Sequence, residues 1–210
     1  MLALVNTAAH QPTCKSTSLR TVLISFFMVI NITKVQIDNA IPKIADGIKK
    51  YISIQKQLTS PNIFKNAAFR KEFNHFYRVR RGAAWQDDYF ALMALAQKNQ
   101  LQFKDVIDLL YKATERYEAS FASKLVATLV PTSPIIDAWV LKNVGLRLPY
   151  SYETNRAAKI TNLYLALQAC FTAFLKTTNG RYLVSEFKRV YPTAGITEEK
   201  MVDLVLWQTR

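Results

Sequence analysis

Cysteine is nearly missing from this chain, with Cys14 and Cys170 the only two in 210 residues. That excludes a disulfide-stapled scaffold, and Cys170 falls in an apolar helical pattern where a small buried thiol is ordinary. No C-x-x-C occurs, and His10 and His75 have no partner nearby in sequence, so no metal-ligand spacing is present and no metal or other cofactor is expected. Glycine (five) and proline (seven) are scarce as well. The glycine-rich loops that cradle phosphates are therefore absent, and few tight turns can form, which favours helices joined by short connections. No apolar run reaches the ~20 residues of a membrane-spanning helix. Carboxylates are also in deficit, 15 Asp and Glu against 28 Lys and Arg.

What is present is half hydrophobic and rich in rings, with 12 Phe, 10 Tyr and 3 Trp. Such a chain can bury one good core, or two small lobes. The net charge of +13 is spread along it, with +5 over residues 1–60, +3 over 61–120, +4 over 121–180 and +1 over the rest. An evenly basic surface suits a polyanion, nucleic acid first and an anionic membrane surface second.

The stretch "TVLISFFMVINI" (21–32) is apolar but short. It reads as a buried segment, as sequence upstream of a natural start at Met28, or as an export signal led by Lys15 and Arg20. Without a small-x-small cleavage site the expected location is cytoplasmic, with export the alternative. Residues 1–35 are read as an N-terminal extension and 36–210 as one domain.

From Asn39 onward the periodicity is helical, and about eight helices are expected in an all-α fold. Ile41, Ile44, Ile48 and Ile52 form the face of a helix running to about Leu58. Ser60-Pro61 then reads as a cap and first helical position, opening a helix that buries Phe64, Ala68, Phe73, Phe76 and Tyr77. A helix from about Ala83 groups Trp85, Tyr89, Phe90, Met93 and Ala96. The next uses Phe103, Val106, Ile107, Leu110 and Tyr111. Ile160, Leu163, Tyr164, Leu167, Phe171, Phe174 and Leu175 make a long stripe, with Gly180 as its expected stop. A helix from Arg181 to Val190 follows, and Thr197 caps a last one through Trp207.

Between these lies "SKLVATLVPTSPIIDAWVLKNVGLRLP" (123–149). Ala119, Ala122, Leu125, Val126 and Leu129 are the apolar face of a helix whose polar stripe is Tyr117, Ser120, Lys124 and Thr128. Pro131 ends it, a Pro-Thr-Ser-Pro turn follows, and Asp137 opens the next helix, which stops at Gly145. Asp137 is the lone carboxylate between Glu118 and Glu153. At a helix N-terminus the macrodipole stabilises its charge, which by itself accounts for an acid there.

The order "SFASKLVATL", "VPTSPIID", "AWVLKNVGLRL" resembles the helix-hairpin-helix superfamily of base-excision DNA glycosylases. The resemblance covers about 35 residues and implies a glycosylase-like helical fold. It gives Asp137 the part of the catalytic Asp, which stabilises positive charge on the sugar and helps position the nucleophile. The hairpin turn here, in "TERYEASFASK", has no glycine. Where bifunctional members carry a nucleophilic lysine this chain has Ser120, and Lys124 lies one turn further on as the candidate substitute. Removal of an altered base by hydrolysis is therefore expected rather than strand cleavage. On this reading Arg78, Arg80, Arg81, Ser120, Ser123, Lys124, Lys142 and Arg147 face DNA, and Trp85 or Trp139 stacks on a base. Arg78, Arg80 and Arg81 also suit a helix C-terminus followed by a turn at Gly82, with Asp87 and Asp88 as possible ion-pair partners. The alternatives are a non-catalytic DNA-binding protein of the same fold and an all-α module binding an acidic partner or a membrane surface.

Overall fold

A computed structural model describes residues 30–209. Among them are ten α-helices and no strand. His10, Cys14, Lys15, Arg20 and Met28, with the readings placed on them, lie outside the described residues. Ile30 and Ile32 are buried, and the Asn31 N–H donates to the Asn143 carbonyl.

Helix α1 (Lys34–Ala40) opens where Thr33 and Gln36 cap each other's backbone amides. A 3₁₀ turn over Ile41–Lys43, carrying Pro42, separates it from α2 (Ala45–Gln57). That break resets the helical phase, so α2 buries Ile48, Tyr51 and Ile54 and leaves the expected Ile52 half-buried. Ser60-Pro61 lies in a turn and starts no helix. The chain passes through Asn62 and a short 3₁₀ turn before α3 (Ala67–Tyr77), whose cap is Asn66: its carboxamide oxygen accepts from the Ala68 and Phe69 N–H groups. Phe69 rather than Ala68 is consequently buried, with Phe73, Phe76 and Tyr77.

Helices α4 (Ala83–Asn99) and α5 (Phe103–Thr114) pack together, and α5 forms a hairpin with α6 (Ala119–Leu129). The glycine-free turn between α5 and α6 is made by Glu115 in the left-handed region at φ 54°. A short α7 (Ala138–Asn143) precedes α8 (Arg156–Leu175), α9 (Thr178–Val190) and α10 (Glu198–Gln208). The stripe read for α8 is buried except at its half-buried end, Leu175.

Gly180 is not the stop of α8. It lies in the first turn of α9, where a Cβ would fall 2.0 Å from the Phe174 carbonyl oxygen, so its absence lets α9 start hard against the end of α8. Thr177 caps α9 by accepting from the Gly180 N–H. Helix α10 is central, packing against α1, α7, α8 and α9, and every residue from Lys200 to Leu206 is buried. The buried apolar side chains form one core from Ile30 to Leu206. Among the described residues no helix is long and apolar enough to cross a membrane, and no three His, Cys, Asp or Glu side chains are grouped to hold a metal.

Candidate functional site

Helix α6 is buried nearly all round, so the polar stripe expected on it is largely internal. Thr128 is fully buried and donates to the Lys124 carbonyl at 2.7 Å, with the Tyr77 hydroxyl 3.0 Å away. Ser123 is fully buried too, which corrects its expected place on a DNA-facing surface. Its hydroxyl donates to the Ser120 carbonyl and accepts from the Ile136 N–H, both at 2.9 Å. This bond ties the approach to Asp137 onto α6, across the turn at Pro131 to Pro134. On the far side of that turn, Thr197 donates to the Pro131 carbonyl at 2.9 Å.

So held, Asp137 is the N-cap of α7, its Oδ1 accepting from the Trp139 N–H at 2.9 Å. The helix ends as expected, with Gly145 in the left-handed region at φ 68°. Among the described residues no cation forms a salt bridge with Asp137, which is half-buried.

Asp137 opens onto a pocket of about 250 Å³. Arg78 comes to it from the end of α3, Lys124 from α6, Trp139 from α7, and Asp203 and Trp207 from α10. Lys124 is half-buried with its ammonium 5.0 Å from the Phe121 ring centroid, and it makes no salt bridge among the described residues. Burial holds its pKa below the ordinary lysine value; Asp137 and Asp203 pull it back up, while Arg78 adds to the lowering. Asp203 is bonded to Lys200 at 2.8 Å, and that buried ammonium sits over the Tyr51, Phe76 and Tyr77 rings. The Arg78 guanidinium lies 4.8 Å from the Trp207 ring centroid, and Lys142 lies 5.0 Å from that of Trp139.

Arg78 and Arg80 are exposed, and with Lys43, Lys50 and His75 they border a basic hollow that shares Trp207 with the pocket. The turn here is made by Arg78 itself, at φ 53°, and not by Gly82, which has ordinary extended backbone. Arg81 is taken up elsewhere: it pairs with Glu118 at 2.7 Å and lies against Trp85 and Phe121. Asp87 pairs with Arg70 rather than with these arginines. Trp85 stacks on Tyr89 at 5.0 Å and packs on Phe121, so it is a half-buried part of the core's edge, away from the pocket. Trp139, also half-buried, does line the pocket. Ser120 is half-buried; Lys142 and Arg147 are exposed, Arg147 over the Tyr150 ring at 4.0 Å.

Lys200, Asp203 and Trp207 also line the pocket, and none of them is among the site residues expected from the sequence. The signal was there in "KMVDLVLW", where a lysine and an acid three apart interrupt an otherwise apolar run on a helix. Two charges so placed must pair or face a cavity, and here they do both. Chemically, the site offers an ionisable amine, a helix-capping carboxylate that forms no salt bridge among the described residues, and two indole rings. That set can hold one small planar group, since the volume is below the roughly 300–1,000 Å³ usual for larger organic ligands. No protein-family model, curated protein or solved structure matches the chain.

Proposed function

We propose that this protein binds DNA and removes an altered base by hydrolysis of the N-glycosidic bond, with Asp137 as the working carboxylate. The observation that supports this reading best is a convergence: Asp137, Lys124, Arg78 and two tryptophans, brought from four different helices, line one small pocket beside a basic hollow. Glycosidic cleavage passes through an oxocarbenium-like state, which a fixed carboxylate in a water-poor site stabilises. Asp137 is fixed by its capping bond to Trp139, and its second oxygen is available for the sugar or for an attacking water. An everted base would enter between the Trp139 and Trp207 rings. Arg78 and Arg80, with Lys43 and Lys50 beside them, would hold the flanking phosphates. Lys124 would act there as an amine of lowered basicity, donating a hydrogen bond to the base or the water.

The test is release of free base from a panel of duplexes carrying modified bases, run on wild type beside Asp137→Asn. Asparagine caps a helix as well as aspartate does, so the variant is expected to fold and bind DNA normally. Loss of the charge is expected to slow base release by about 10²-fold or more. Should no duplex react while affinity still falls steeply with salt, the protein is a DNA-binding protein without this chemistry. A shallow salt dependence would remove DNA as the partner.

A further inference from the structure

We propose that a second surface of this protein, where one stacked tyrosine pair lines a hollow and another stacked pair brackets a residue of its wall, binds unpaired DNA bases by stacking. The first pair lies in the segment that follows α7: Tyr150 and Tyr152 have ring centroids 5.2 Å apart and planes within 12° of parallel. Arg147 sits over Tyr150 at 4.0 Å, and Tyr152 is 79% exposed. The second pair bridges the α5–α6 turn: Tyr111 and Tyr117 stack at 4.2 Å and 15°. Arg156 approaches the Tyr117 ring at 5.7 Å, and Tyr111 is exposed. The second pair lines an open hollow of about 890 Å³ with Arg116, Arg156 and Ser151, and Ser151 is the residue between the two tyrosines of the first pair.

Among the described residues, Tyr111, Tyr150 and Tyr152 take no part in the hydrophobic core. Each pair instead carries an arginine on one ring and includes an exposed tyrosine. That is the composition of a stacking platform for single-stranded nucleic acid: aromatic faces accept any base, and guanidinium groups hold the phosphates between. Two of the three carboxylates at the hollow are already engaged. Glu153 bonds Lys159 and the Tyr150 N–H, and Glu118 bonds Arg81, which leaves Glu115 as the exposed acid opposite Arg116 and Arg156. With the chain at +13, the charge favours a polyanion over an apolar protein face. The proposal rests on the reading of the protein as DNA-binding, but not on base release.

The experiment measures fluorescence anisotropy of labelled oligo(dT), oligo(rU), an abasic DNA oligomer of equal length and a DNA duplex, with the full chain. Wild type is expected to bind oligo(dT) about tenfold or more tighter than the abasic oligomer, because only the former can stack. Tyr152→Ala is expected to lose about tenfold on oligo(dT) and nothing on the abasic oligomer, and Tyr152→Phe to bind like wild type. Tyr111→Ala tests the second pair in the same way, and both side chains are exposed enough for the variants to fold. Equal affinity of wild type for oligo(dT) and the abasic oligomer, or no effect of either alanine, overturns the proposal. Tighter binding of oligo(rU) than of oligo(dT) overturns it in favour of RNA. Failure to bind any of the DNA probes instead sinks the DNA reading itself, whereas failure to release a base leaves this surface untouched.

Discussion

Replacing Ser123 by alanine separates two accounts of the same residue. As a surface serine touching phosphate, its loss would weaken DNA binding and leave stability alone. In the structure it is fully buried and accepts from the Ile136 N–H at 2.9 Å. Alanine leaves that amide without an acceptor in a region water does not reach. An orphaned buried donor costs about 1–3 kcal/mol, and a middle value of ~2 kcal/mol applies where the removed hydroxyl is small enough to leave no sizeable void. For a domain of this size each kcal/mol lowers Tm by roughly 2–4 °C, so a fall of about 4–8 °C is expected in a thermal melt followed by circular dichroism. Ser120→Ala serves as the control, since that side chain is only half-buried and a shift within about 2 °C is expected, from the roughly 0.5 kcal/mol usual for such changes. DNA affinity of folded Ser123→Ala should match wild type. An unchanged Tm with weakened DNA binding would refute the buried-strap account and restore the surface one.

Two further outcomes are expected. Burial holds the Lys124 pKa down in the folded protein, so between that value and the ordinary one the unfolded chain binds more protons and stability rises with pH. Lys124→Met should therefore be more stable than wild type near neutral pH, with the gap narrowing as pH rises through that window; urea unfolding at several pH values measures it, and a widening gap would contradict the sign. Gly180→Ala drives a methyl group into the Phe174 carbonyl, a backbone atom that no rotamer change can move. A loss of about 3 kcal/mol is expected, read as a drop of roughly 6–12 °C in Tm.

The all-helical class and most helix positions are legible in the sequence because they rest on local patterns. The α8 stripe from Ile160 to Phe174, the Thr197 cap and the Asp137 cap each depend on residues within a turn or two of one another. What is not legible depends on distant partners. Ser123 reads as polar and therefore exposed until Ile136 folds back onto it. Lys200 and Asp203 can be marked in the sequence as two charges in an apolar run, but which elements enclose them is set by α10 packing against α1, α7, α8 and α9. The pocket follows the same rule: Asp137 and Lys124 can be picked out by their neighbours in sequence, but Trp207 enters only through tertiary packing. Gly82 drew the turn because glycine is the usual residue for one, whereas the chain bends at Arg78.

That bend belongs to a set. Asn62, Arg78, Gln100, Glu115 and Asn155 all hold left-handed backbone with a side chain attached, at a cost of about 1 kcal/mol or more each. Arg78, Gln100 and Glu115 each terminate a helix there. Each of these residues is a poorer left-handed cap than glycine, so the packing around it helps to hold the boundary in place. An excised α5–α6 fragment would have little reason to turn at Glu115. The same dependence reaches the pocket through Arg78, whose guanidinium is aimed at Trp207 by a conformation that the isolated α3 would abandon. Helix ends and pocket wall thus form and dissolve together, which makes the integrity of the site a cooperative property of the whole chain rather than of the residues that line it.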